Sequence, residues 1–233
     1  MNILDFAIIA ILGLFVLGGL YKGFMHTVID IVCYMICALF AFLMTPIVSF
    51  NVVQNESVFN TMLYYTEGSE NIYDVEYKKK NIAEISNAEL EDIYSHSSVA
   101  FPMDERIRSN VSDAAFQSSN IYSLGDYFNQ TIVDVVINIV SLLVLFIVIR
   151  LVLGWILRVV DFSMEGLPVM SRYDAAFSCG IGFLHGVLLL YIVFLLTPVV
   201  LTVVAPLEKY LYESVLGGFF YRVDPLLWLI PTT

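Results

Sequence analysis

Charge is what this sequence has least of. Of its 233 residues only 14% are Asp, Glu, Lys or Arg, and 59% are hydrophobic. An ordinary soluble domain is about a quarter charged. Mean hydropathy is +0.81. This shortage excludes a water-soluble globule and a disordered chain. Three cysteines are too few for a disulfide scaffold. Cys33 and Cys37 stand in one apolar run and Cys179 in another, as buried apolar packers do. Bases are scarce too, 11 against 22 acids, for a net charge of −11. A phosphate backbone needs a basic stripe, so nucleic acid is not an expected partner. The three histidines, His26, His96 and His185, fall in separate segments. The G-x-S-x-G, H-E-x-x-H, P-loop and G-x-G-x-x-G patterns are all missing. No catalytic residue, metal or cofactor is expected, and the chain reads as a non-enzyme.

What is present is long apolar runs. Four stretches, roughly 3–21, 24–50, 132–160 and 175–205, reach the 20 or so residues that a bilayer-crossing helix needs. Backbone groups in lipid must be satisfied internally, and these runs lack the alternation of a barrel strand, so helices are expected. The first run is not expected to be a cleaved signal peptide: its start is acidic, and Tyr21-Lys22-Gly23-Phe24 follows without a small-residue cleavage site. Lys22 and His26 lie between runs one and two, and Arg158 and Arg172 between runs three and four. Bases favour the cytoplasmic side, which puts both short turns inside and both termini and the long middle segment outside.

The middle segment, 51–131, holds 13 of the acids against 5 bases. It is too long for a bare connection, and reads as a small extracytoplasmic lobe or a partly disordered cap. Ser86-Asn87-Ala88-Glu89 has the form of a capping box opening a short helix through Tyr94. Asp104 to Phe116 is a second candidate helix. The C-terminal segment, 206–233, mixes aromatics with charges and is broken by Gly217-Gly218 and Pro225. An amphipathic helix over 207–230 lying at the outer interface is expected, or else a tail packed on the middle segment. The fold class is thus an all-α membrane protein. It has transmembrane hairpins at 1–50 and 132–205, a large extracytoplasmic insertion between helices two and three, and a C-terminal interfacial helix.

Two sets of residues stand out. Gly19 and Gly23 end run one, and Ser178, Gly182 and Gly186 recur every fourth position on run four. Small residues at this spacing let two membrane helices bring their backbones together. The partner is another helix of this chain or of a second copy. The other set is ionisable groups at depth. Asp30 lies about 9 Å inside run two, and Arg150 about 12 Å inside run three. A bare charge there is costly, so the two are expected to pair, either as a node on a proton or solute path or as a tie that fixes the bundle. His185, near mid-run, titrates in such a path or is a neutral ring bonded to a neighbouring carbonyl or hydroxyl.

Asp5, the Lys22-Gly23-Phe24 turn, and Asp174 followed by Ser178, Gly182 and Gly186 resemble the bacterial colicin V production protein family. The chain departs from the family pattern at Ala175, Ser178 and His185, where an Arg, a Gly and a basic residue are usual. The likeness covers about 1–50 and 132–205, with 51–131 as an insertion. It implies a multi-pass inner-membrane scaffold linked to toxin production or export, envelope stress resistance and surface growth. Expected partners are the lipid bilayer and other membrane or envelope proteins, met through the middle segment or the glycine stripe, with a homo-oligomer as a further possibility. A small-solute or proton channel component, using Asp30, Arg150 and His185, is the alternative.

Overall fold

The computed structural model describes residues 2–97, 99–113, 121–159, 173–204 and 206–230. These residues are almost wholly helical, with no strand among them beyond one isolated backbone bridge between Asn81 and Ser123. Four helical segments are long and apolar enough to cross a membrane. They are α1 (Ile3–Lys22), α2 (Phe24–Val53), α7 (Leu124–Val159), and α8 (Asp174–Phe194) with its continuation α9 (Thr197–Val203). Twenty residues of α1 reach about 30 Å, the depth of a bilayer core. The short helices are α3 (Glu56–Thr66), α4 (Val75–Lys79), α5 (Asn87–His96), α6 (Met103–Ser112), α10 (Leu207–Glu213), α11 (Val215–Val223) and α12 (Pro225–Trp228).

Helix α7 begins at Leu124, before the apolar run proper. Ser123 accepts the Asp126 N–H at 3.1 Å and donates to the Asp126 carboxylate at 2.5 Å, so the polar stretch ahead of the run is wound into the same helix. The capping box at Ser86 is present. Glu89 accepts the Ser86 N–H at 2.8 Å, and these bonds hold its carboxyl down at about 2. The second middle-segment helix spans Met103–Ser112; 114–116, which the sequence reading included in it, lie outside the described residues. So do Arg172 and the side chain of Arg158, on which the charge asymmetry of the second short turn rests.

The chain divides into two compact units. One takes Pro46–Val140, Pro198–Ala205 and Ile230–Thr233. Its fully buried side chains include Ile72, Ile93, Met103, Ile107, Leu124, Phe128 and Ile132. Asn129 accepts the Ser69 N–H at 2.8 Å, and Arg106 donates to the Ile230 carbonyl at 2.6 Å. The chain enters this unit at Pro46 and again at Pro198, residues that bring no N–H to a helical ladder.

The other unit takes Met1–Thr45, Ser141–Thr197 and Pro206–Leu229. Its core gathers Tyr34, Cys37 and Ala41 of α2, Phe146 of α7 and Ile192 of α8. Cys33 and Cys37 are buried free thiols, and Cys179 is a half-buried one. Large apolar side chains recur on the outer face of α2 at Met35, Leu39 and Leu43. Such a face is foreign to water and suited to lipid. Over 207–230 the structure has three short helices in place of the single amphipathic helix expected. Ser214 closes α10 and caps α11, while Asp224 and Pro225 restart the chain as α12. This tail packs on α1 and α8.

The seam between α1 and α8 is built from glycine. A Cβ on Gly19 would strike the Ser178 carbonyl oxygen, and one on Gly182 would lie 2.6 Å from the Phe15 carbonyl oxygen. One on Gly186 would crowd the Phe15 side chain at 3.1 Å. The Ser178, Gly182 and Gly186 stripe is therefore closed against a helix of the same chain. Gly180, one turn-face away, meets nothing within 4 Å. We expect Gly182→Ala to lower stability by about 1–3 kcal/mol through overpacking, and Gly180→Ala to keep or slightly raise it. Thermal unfolding in detergent, read by a dye that reacts with Cys33 and Cys37 as they become exposed, checks the contrast.

Candidate functional site

The residues singled out by sequence lie in the unit that holds α1, and several of them stand at the two ends of that helix. At its start, Asn2 accepts the N–H groups of Leu4 and Asp5, while Asp5 accepts the Asn2 N–H at 2.8 Å, a reciprocal cap. Asp5 is fully buried. Its other oxygen accepts the Ser214 hydroxyl at 2.6 Å and the Leu216 N–H at 2.9 Å. Ser214 in turn caps α11 by accepting the Gly217 N–H at 2.9 Å. The Asn2 side chain donates to the Tyr210 carbonyl at 2.6 Å. One carboxylate thus ties the start of α1 to the junction of α10 and α11. Sequence reasoning missed Asn2 and Ser214, although Asn-x-x-Asp ahead of an apolar run is a legible cap.

At the other end, α1 and α2 are joined by Gly23 alone. Its φ of 79° lies in the left-handed region, where a side chain would be strained. Restarting a helix after one residue leaves the Phe24 N–H without an intrahelical acceptor. Asp174, the first residue of α8, accepts it at 3.2 Å. Thr27 donates back to the Gly23 carbonyl at 2.7 Å, and Ser178 to the Asp174 carbonyl at 2.5 Å. Phe24 and Phe177 meet edge to face, with centroids 5.8 Å apart.

The one-residue turn also decides the partner of Asp30. It faces Lys22 across the hairpin, and the two pair at 2.5 Å. The expected pair with Arg150 does not form. Arg150 has no hydrogen bond or ion pair among the described residues. His185 makes no hydrogen bond among the described residues, in contrast to the bonded ring that was one expectation. It is a rung in a ladder of rings, 4.9 Å from Phe15 and 5.1 Å from Tyr34, with Tyr34 in turn 4.9 Å from Phe146. The ladder runs through α1, α8, α2 and α7, and Tyr34 anchors it by donating to the Leu188 carbonyl at 3.3 Å.

A cavity of about 170 Å³ opens beside this ladder, lined by Leu14, Phe15, Gly18, Gly19, Lys22, Thr27, Asp30, Gly182 and His185. It brings Asp30 and His185 together and leaves Arg150 out. Among the described residues no three His, Cys, Asp or Glu side chains stand as a metal cluster.

Set against family models, curated proteins and solved structures, the chain matches none of them.

Two outcomes follow from the ends of the bundle. Ser214→Ala should cost about 1 kcal/mol by removing a cap. Asp5→Ala should do more harm, because it strands Ser214 and the Leu216 N–H together. Limited proteolysis should then cut the chain near 206–214 in the Asp5 variant and spare the parent. The second outcome concerns Asp224, which is fully buried. One of its oxygens accepts the Leu226 N–H at 2.9 Å and the other has no partner among the described residues. Burial pushes its carboxyl up to about 7. A raised carboxyl means that the folded state holds the proton more tightly, so stability is greatest at low pH and falls as pH rises toward about 7. Melting curves between pH 5 and pH 8, about that midpoint, should show this fall in the parent and a flatter profile in Asp224→Asn.

Proposed function

We propose that the chain is a non-enzymatic scaffold of the colicin V production type. In this reading it sits multi-pass in the inner or plasma membrane, with both termini and the 51–131 segment outside. It supports toxin production and export or envelope homeostasis by holding other membrane or envelope proteins. The observation that carries the reading is how the residues of the resemblance are employed. Asp5 and Asp174 are both occupied in tying helix ends together. Lys22 is held by Asp30, and the glycine stripe is consumed by packing against α1. A chain that devotes its distinctive residues to holding its own helices in place suits a fixed platform. Its acidic middle segment, with Tyr64, Tyr65, Tyr73 and Tyr122 exposed, is the surface we assign to the envelope partner. The broken C-terminal tail also exposes Tyr212, Phe219 and Trp228, as an interfacial segment does.

The second reading, a small-solute or proton pathway, is favoured by one observation, the cavity that joins Asp30 to His185. The experiment that decides is paired. Ser95, exposed on α5, is changed to Cys in a cysteine-free background and treated on intact cells with a membrane-impermeant maleimide. The scaffold reading expects labelling, and cross-linking from the same position should yield one discrete complex. The pathway reading expects Asp30→Asn to abolish flux in reconstituted liposomes. Absence of labelling overturns the topology, and loss of flux in Asp30→Asn overturns the scaffold.

A further inference from the structure

Gly18 and Gly19 are neighbours on α1 with opposite surroundings. Gly19 is shut against α8, while a Cβ on Gly18 would meet nothing within 4 Å. The space above Gly18 is the cavity of about 170 Å³. Leu14, Gly18 and Lys22 follow at four-residue steps, so they form one stripe along α1, about 12 Å from end to end. Leu14, at one end, is 67% exposed and apolar. Lys22, at the other, is paired at 2.5 Å with Asp30, and both side chains keep part of their surface open, 54% and 28%. His185 lies on the wall with its ring nitrogens unbonded among the described residues. The groove is therefore graded, apolar and open at one end, and doubly charged at the other.

We propose that this groove binds one zwitterionic phospholipid with an aminoethyl phosphate head. The phosphate sits on the Lys22 ammonium, the lipid ammonium on the Asp30 carboxylate, and one acyl chain lies over Gly18 against Leu14. Charge complementarity selects the occupant. A neutral pair of opposite charges at the mouth matches a head group that is itself a neutral pair, and each charge keeps a counter-ion when the lipid enters. An anionic lipid would satisfy Lys22 and leave its charge beside Asp30. A soluble head group would gain nothing from the apolar end. The proposal rests on α1 and α2 lying in a bilayer. That premise is checked separately, by retention of the full chain in carbonate-washed membranes.

The test uses the full chain purified in a mild detergent and loaded with equimolar phosphatidylethanolamine and phosphatidylglycerol. Bound lipid is counted by native mass spectrometry. One phosphatidylethanolamine per chain is expected, preferred about tenfold over the glycerol lipid. Gly18→Leu fills the groove without touching the α1–α8 seam, and should cut retention about tenfold without lowering the melting temperature. Gly13→Leu, which meets equally open space away from the groove, should retain lipid as the parent does. Asp30→Asn should shift the preference to the anionic lipid, and soluble phosphoethanolamine should displace nothing. Equal retention of both lipids, full retention in Gly18→Leu, or displacement by the soluble head group each overturns the proposal.

Discussion

Contact between two bare backbones, α1 against α8, sets the positions of the other elements in its unit. Apolar side chains gain little by leaving lipid for one another, so helices in a membrane adhere through close packing, and closeness requires small residues. Gly19, Gly182 and Gly186 supply it. Once α1 is fixed to α8 at this distance, the start of α8 comes within reach of the α1–α2 turn, and Asp174 can take the Phe24 N–H. The same approach brings Phe15 to the His185 ring, and through it Tyr34 and Phe146. Ring contacts of this edge-to-face kind are each modest. Their value here is directional, because they extend one two-helix seam to all four long helices.

Polar groups in the same unit work at helix ends, where backbone N–H groups have no partner of their own. Asp5 serves α1 and α11 with its two oxygens. Asp174 serves α2 from the first turn of α8. A carboxylate at a helix start is favoured by the helix dipole as well as by direct hydrogen bonds, so it bears burial better than a charge at mid-helix would. The C-terminal segment follows from this arrangement. Its three short helices could not be one, because Ser214 must turn toward Asp5 and Asp224 must turn toward the α12 backbone.

The long helices were legible because their signal is length and apolarity, which no neighbour can alter. Glycine spacing was legible for the same reason, since small residues at four-residue steps present one stripe wherever the helix packs. The identity of the partner helix was not, because a stripe of small residues accepts a helix of this chain or of a second copy equally well. The partner of Asp30 was misread for a geometric reason. Depth along a helix can be counted from the sequence, but the face that a charge presents depends on the turn before it. A one-residue turn at Gly23 sends Asp30 back toward Lys22. The long-range bonds of Asp5 to Ser214 and Leu216 span more than 200 residues, and no local pattern encodes them. His185 was read as a polar group, whereas its environment uses it as a ring.

The adjacent glycines of α1 separate what packing explains from what it does not. Successive residues on a helix point about 100° apart, so Gly19 can face α8 while Gly18 looks out beside it. Glycine weakens a helix relative to alanine, and at Gly19 close packing offsets that cost. At Gly18 no contact offsets it, and the only consequence of the missing side chain is room. Room inside a bilayer does not stay empty, since lipid or water enters any opening that communicates with it. The lining then decides which. An all-polar wall would hold water, and an all-apolar wall an acyl chain. Here Leu14 and Phe15 share the wall with Lys22, Asp30 and His185, so the occupant must be apolar along one side and charged at one end. A rigid seam and an adjoining groove for an amphiphile are thus produced by two neighbouring glycines on different faces of one helix.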